Sequence, residues 1–95
     1  MVTAIELLKV ERKKIQEVAD QLLNIDGIAE VYSVSGRYDL VSIIRAKDND
    51  TLAEIVTNHT LKIDHILESE TLFAFRCYSK HDLERMFSLG FEEQK

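Results

Sequence analysis

The 95-residue chain has no proline, no tryptophan, three glycines and a single cysteine. Without proline, a cis-proline turn is excluded. The lone Cys77 cannot form an internal disulfide, and no Cys or His spacing matches a zinc site, so neither a metal nor another cofactor is predicted. A single thiol fits a reducing compartment, and we therefore predict a cytoplasmic location.

Positive charge and long apolar runs are also scarce. Twelve Lys and Arg stand against 17 Asp and Glu, a net charge of −5. An acidic surface repels phosphate backbones, so direct nucleic-acid binding is not predicted. No uncharged stretch is long enough to span a membrane, and the first residues lack a signal-peptide pattern. The length predicts one domain over residues 1–95.

The spacing of apolar residues predicts the order β-α-β-β-α-β. Residues 2–10 also fit a helical spacing, but the abrupt change to the charged run 11–14 favours a strand followed by a helix. The run Asp48-Asn49-Asp50-Thr51 supplies side-chain oxygens that can start the second helix, and Thr51 and Glu54 have the spacing of a capping box. The predicted strands are 2–10, 28–34, 40–47 and the long extended run 63–79. The predicted helices are 14–24 and one that starts in the run 48–51 and ends near residues 59–60, and a short last helix is expected from about residue 79.

This order is the ferredoxin-like split βαβ arrangement, an α+β fold with one antiparallel sheet and both helices on one face. The strands nevertheless carry apolar residues on both sides. In the first strand, Ile5 and Leu7 lie opposite Leu8 and Val10. Because a sheet with one solvated face should alternate apolar and polar residues, we expect the bare face to pack on the sheet of a second copy in a twofold dimer.

The segment Ser35-Gly36-Arg37-Tyr38-Asp39 interrupts two apolar runs and predicts a hairpin loop. A turn of this length needs only a glycine and a small polar residue. This one adds a guanidinium, a phenol and a carboxylate, which supply the donors, acceptors and charges needed to bind a small zwitterion.

The element order, the pattern Val31-x-x-Val34-Ser35-Gly36-x-Tyr38-Asp39 and the hydroxyl residues Ser69 and Thr71 resemble the effector-binding domain of Lrp/AsnC transcriptional regulators, also called the RAM domain. The resemblance covers roughly residues 2–79. Members of the family carry a helix-turn-helix before this domain. Here the first strand begins at residue 2, so we expect a stand-alone effector domain.

The resemblance implies a cytoplasmic homo-oligomer of dimers, in rings of eight or ten chains, that binds an amino acid or similar metabolite between dimers. It also implies association with a full-length regulator of the same family. Asp39 would accept from the ligand ammonium, and the N–H groups near Gly36 together with Arg37 would donate to its carboxylate. The predicted ligand residues are Gly36, Arg37, Tyr38 and Asp39, with Ser69 or Thr71 from a neighbouring chain.

Each of these residues also has a purely structural explanation: a turn glycine, an aspartate accepting from loop N–H groups, a packed tyrosine, a solvated arginine and ordinary strand positions. Cys77, which alternates with Phe73 and Phe75, is expected to be a small buried hydrophobe. No catalytic set is visible, so we do not predict an enzyme. The competing functions are a monooxygenase-like dimeric enzyme and a ligand-free adaptor. The Gly36 hairpin argues against the related ACT domain.

Overall fold

The computed structural model describes residues 1–80. Its elements are β1 Val2–Val10, α1 Ile15–Leu23, β2 Ile28–Ser33, β3 Leu40–Ala46, α2 Asn49–Glu54 and β4 Ile66–Ala74. The four strands form one antiparallel sheet with the order β2-β3-β1-β4. Helix α1 packs on β2 and β3, and helix α2 packs on β3 and β1. This arrangement confirms the predicted ferredoxin-like α+β fold and its element order. The predicted last helix lies almost wholly outside the described residues.

Strand β1 is central, and its alternation decides which residues face the helices. Ala4 and Leu8 are fully buried and Val10 nearly so, under the helices, while Ile5 and Leu7 on the opposite side are only half-buried. Strand β3 repeats the pattern, with Leu40 and Ile44 buried. The predicted division of apolar residues between two faces is therefore confirmed, and one face of the sheet is bare within residues 1–80.

The helices bury the apolar stripes that their sequences predict. Val18 and Leu22 of α1 are fully buried, as is Leu52 of α2. A 3-10 turn at Arg12–Lys14 leads into α1. Helix α2 is short; it continues as a π-helical turn at Ile55–His59 and a 3-10 turn at Thr60–Lys62.

The start of α2 lies within the predicted run of helix-starting residues, 48–51, but the residue that caps it differs from the predicted capping box. Asp48 is the N-cap, because its Oδ1 accepts from the N–H of Thr51 at 2.8 Å. The predicted capping box of Thr51 and Glu54 is therefore wrong, since the helix begins two residues earlier, at Asn49. Hydrogen bonds from Thr51 hold the pKa of Asp48 below its ordinary value.

Strand β4 is shorter than the extended run 63–79 predicted. Thr3 pairs with Ala74, and β1 begins at Val2, so β4 has no partner beyond Ala74. Phe75 and Cys77 consequently lie outside the sheet and are exposed. The prediction that Cys77 is buried is therefore wrong.

Two similar turns precede the strands β2 and β4. Ile25-Asp26-Gly27-Ile28 and Ile63-Asp64-His65-Ile66 both have a positive φ at the third residue, +101° at Gly27 and 77° at His65. Histidine adopts this conformation at a cost. The His65 turn is held by Glu11, whose N–H donates to the His65 carbonyl and whose carboxylate lies 2.8 Å from His65 Nδ1.

We predict that Gly27→Ala destabilises the fold more than Gly36→Ala. Both glycines have positive φ, so an alanine costs about 1 kcal/mol at either position. At Gly27 the added Cβ would also lie 2.5 Å from Ile55 Cδ1 and 3.3 Å from the Arg45 carbonyl, whereas no atom of the other described residues lies within 4 Å at Gly36. We expect roughly 2 kcal/mol against 1, measured by urea unfolding. Equal losses would contradict the packing argument.

Candidate ligand-binding site

The hairpin between β2 and β3 forms a loop at residues 34–39. The N–H of Val34 donates to the Asp39 carbonyl at 3.0 Å and closes it. Gly36 has φ +110°, and the space where its Cβ would stand is open. None of the hydrogen bonds among the described residues uses the N–H groups of Gly36 or Arg37. The tip of the loop therefore offers free backbone donors to solvent.

Asp39 ties this loop to the central strand. Its N–H donates to the Leu8 carbonyl at 2.9 Å, and its Oδ2 accepts from the Val10 N–H at 2.8 Å. The β1–β3 pairing ends at Leu8 and Leu40, so the carboxylate extends the ladder past its last residue pair. One carboxylate oxygen is thus committed to structure, while Oδ1 accepts no hydrogen bond from the described residues.

Tyr38 ties the other side of the loop to β4. Its hydroxyl donates to Glu70 Oε2 at 2.9 Å. This hydrogen bond raises the pKa of Tyr38 above its ordinary value, because ionising the phenol would lose the bond and place two anions together. Arg37 is exposed beside it and forms no ion pair within residues 1–80.

The two hydroxyl residues of the predicted site, Ser69 and Thr71, face the helix side of the sheet. Ser69 pairs with Leu8 and Thr71 pairs with Glu6, which places both on the helix side. Glu70, between them, points to the bare face and meets Tyr38. One chain therefore brings Gly36, Arg37, Tyr38 and Asp39 together in the loop, but not Ser69 and Thr71.

Glu6 is a residue of this region that the sequence analysis missed. It is fully buried on the helix side of β1, between Ser42 of β3 and Thr71 of β4. Its Oε2 accepts from Thr71 Oγ1 at 3.5 Å, while Glu6 Oε1 and Ser42 Oγ have no hydrogen-bond partner in the described part of the chain. Burial raises the pKa of Glu6 to about 7. The sequence could have shown this burial, because Glu6 alternates in step with Ala4, Leu8 and Val10 and so lies on the same face of β1.

A shallow groove of about 570 Å³ lies on the bare face of the sheet. Tyr32 in this groove donates to Glu30 at 2.6 Å, which raises the pKa of Tyr32 above its ordinary value. The groove lies on the face expected to meet a second copy. Its lining includes Ile5, Tyr32, Ile43 and Arg45 of the sheet and Phe75 and Cys77 beyond β4.

Within residues 1–80 no three His, Cys, Asp or Glu side chains are grouped as a metal site would require. No helix there is long and apolar enough to cross a membrane.

Comparison with known proteins identifies the class of the domain. The model of the Lrp/AsnC ligand binding domain matches residues 3–83. The chain belongs to this family of ligand-binding domains from transcriptional regulators.

Individual relatives agree with this assignment. The chain is 30% identical over 97 residues to the uncharacterized HTH-type transcriptional regulator YugG of Bacillus subtilis, covering 99% of this chain and 57% of the relative. It thus spans little more than half of that regulator. The solved structure of TTHA0845 from Thermus thermophilus is 38% identical with a TM-score of 0.78, covering 84% of this chain and all of that one. Escherichia coli AsnC, at 22% identity, shares the fold, with a TM-score of 0.76 and 82% and 53% of the two chains covered.

We predict that Glu6→Gln stabilises the protein at pH 8 and has little effect at pH 5. The pKa of Glu6 is about 7 in the fold against 4.5 ordinarily, so the native state binds the extra proton between these values. Wild-type stability should therefore fall as pH rises from 4.5 to 7, by at most about 3 kcal/mol.

Urea unfolding at pH 5, 6, 7 and 8 measures this effect. The lowered pKa of Asp48 affects stability only below this range. Glu68→Gln, an exposed change on the bare side of β4, is the matched control and should leave the wild-type pH dependence in place. A wild-type stability that does not change from pH 5 to 8 would refute the assignment to Glu6.

Proposed function

We propose that this domain binds an amino acid or similar small metabolite where two copies meet, and that binding controls assembly with itself and with full-length Lrp/AsnC regulators. The observation that carries the proposal is the double anchoring of the hairpin loop. Asp39 holds it to β1 and Tyr38 holds it to β4. The loop tip is therefore pre-organised, and a ligand would lose little affinity to ordering it.

The loop has complementary groups for a zwitterion. The free N–H groups of Gly36 and Arg37 and the exposed guanidinium are donors for a carboxylate. The unused Oδ1 of Asp39 is an acceptor for an ammonium. With no Cβ on Gly36 and open space beside it, a ligand can approach the backbone closely.

A complete site on this proposal needs two chains. Ser69 and Thr71 lie on the helix face of the sheet, whereas Tyr38 contacts Glu70 on the bare face. This placement favours a neighbouring copy as the source of the hydroxyls that join the loop. This requirement agrees with the expectation that the ligand lies between dimers, in rings of eight or ten chains.

The comparisons support an amino-acid ligand and a regulatory role. The matching family is described as a ligand binding domain. A transcriptional regulator from Neisseria meningitidis with the same fold, at 12% identity and a TM-score of 0.72, was solved as a complex with L-Met. Named relatives are HTH-type transcriptional regulators. A ligand bound between copies would stabilise the assembled state, and a regulator with the same domain would respond through that linkage. Such partners imply a cytoplasmic location.

We predict that the protein is at least a dimer and that Ile5→Lys makes it a monomer. Ile5 lies near the middle of the bare face, paired with Ile43 and Leu72. A lysine there would leave a charge buried between two sheets. Light scattering at micromolar concentration measures the mass. Leu23→Lys, at a 54% exposed position on α1, is the control and should keep the wild-type mass. A monomeric wild type would refute sheet-to-sheet assembly.

We predict that Asp39→Asn removes amino-acid-dependent stabilisation while the domain stays folded. An amide oxygen can still accept from the Val10 N–H, so the anchor persists, but the charge that would hold the ligand ammonium is lost. Asp39→Ala would lose both the hydrogen bond from the Val10 N–H and the negative charge, and should also cost about 1 kcal/mol of stability.

Thermal shift against the twenty amino acids, with mass measured in parallel, tests this prediction. We expect at least one amino acid to raise the wild-type Tm by several degrees and to leave the Asn variant unmoved. Unchanged affinity in the Asn variant would remove Asp39 from the site. If no amino acid stabilises the wild type, the ligand-free adaptor becomes the better description.

A further inference from the structure

Glu6 is an unusual residue to find under the helices of this sheet. It is fully buried, and its single hydrogen bond, at 3.5 Å from Thr71, is long. Ser42 faces it from the paired position on β3, yet neither Glu6 Oε1 nor Ser42 Oγ has a hydrogen-bond partner among residues 1–80. Buried polar atoms without partners are rare in native structures, and each needs an explanation. A donor group that reached both atoms would satisfy both.

No cation among the described residues neutralises this carboxyl. On β1 and β3, Lys9 and Arg45 point to the bare face, as Glu68 and Glu70 do on β4. The side chains that α1 and α2 bury toward the sheet are apolar, and their charged residues are exposed or half-exposed on the outer side. Burial raises the pKa of Glu6, and the hydrogen bond from the Thr71 hydroxyl lowers it in part.

The row that contains Glu6 ends at the edge strand β4. Thr71 on the edge strand is half-buried, and its neighbours on the same face, Ser69 and Phe73, are exposed. The packing of α1 and α2 is concentrated on β1, β2 and β3. Neighbouring strands are about 4.8 Å apart. Glu6 on β1 is therefore one strand inward from the edge strand β4, and Ser42 on β3 is two strands inward.

We propose that Glu6 is a ligand-recognition residue that binds a primary ammonium group on a flexible stem, such as that of a basic amino acid or a diamine. This inference rests on the proposed function, because Thr71 and Ser69 belong to the ligand site proposed above. An ammonium has three donors and no acceptor. Glu6 Oε1, Ser42 Oγ and Thr71 Oγ1 supply three oxygens on adjacent strands, and the exposed Phe73 ring offers apolar surface to the stem.

Charge favours a cation over an anion in this position. An anionic group would meet the Glu6 carboxyl with no Lys or Arg of the described residues turned toward it. An ammonium instead forms a charge-assisted hydrogen bond, which is about twice as strong as a neutral one. Because binding needs the carboxylate form, the ligand should displace the proton that Glu6 holds below about pH 7.

L-lysine and L-norleucine test the proposal, since they have similar stems and only lysine has the second ammonium. We expect wild-type affinity for lysine to exceed that for norleucine by roughly tenfold or more at pH 8. Lysine affinity should fall by up to about tenfold per pH unit below pH 7, with about one proton released on binding. Norleucine affinity should not change with pH. Titration calorimetry in two buffers of different ionisation enthalpy measures both quantities.

Variants separate recognition from structure. Glu6→Gln keeps the shape and should lose the preference for lysine and the proton release, while norleucine binding stays. Glu68→Gln, on the opposite face of the edge strand, should keep both. Cadaverine, a diamine without a carboxylate, should bind more weakly than lysine but lose its affinity in the same Gln variant.

Failure of this inference differs from failure of the proposed function. If amino acids bind but lysine shows no preference, or if Glu6→Gln binds lysine as wild type does, Glu6 is not a recognition residue and the ligand site elsewhere stands. If the wild type binds none of the twenty amino acids, the proposed function fails and this inference fails with it.

Discussion

The antiparallel pairing of β1 with β3 and β4 is the constraint on which the rest of the structure depends. Most β1 residues have a partner on both sides, so the alternation of β1 assigns side chains to the two faces of three strands at once. A slip of one residue would bring Ile5 and Leu7 under the helices and turn Glu6 to the bare face. The same register thus determines which residues enter the core and which form the bare face that is free to meet another copy. It also determines the side of the sheet on which Thr71 lies.

The hairpin loop depends on the same strand. Where the pairing with β3 ends, the Val10 N–H would be left without a partner on that side, and the Asp39 carboxylate supplies it. The position of the loop is therefore fixed by the end of β1 rather than by Gly36, whose surroundings are open. Asp39 can serve structure and ligand binding together, because each role needs only one carboxylate oxygen.

Element order and the two apolar faces could be predicted, because periodicity directly reports which side of an element a residue occupies. The end of β4 could not, because Phe75 and Cys77 continue the alternation after the partner strand has ended. The contact of Tyr38 with Glu70 spans 32 residues and leaves no local pattern. Glu6 was missed because a charge in a strand normally marks the solvated side. The ligand roles of Gly36, Arg37, Tyr38, Asp39, Ser69 and Thr71 remain predictions.

The free-energy cost of burying the Glu6 carboxyl gives a reason to connect the stability of the fold with ligand binding. A leucine at this position would satisfy the core, whereas a buried carboxyl without a cation weakens the fold as it ionises. Proteins keep such unfavourable groups chiefly at functional sites. Here the group adjoins Thr71, one of the hydroxyls already predicted to contact ligand. A cation bound there would offset the cost of burial, so ligand occupancy would stabilise the very strand that positions both the loop and the bare face.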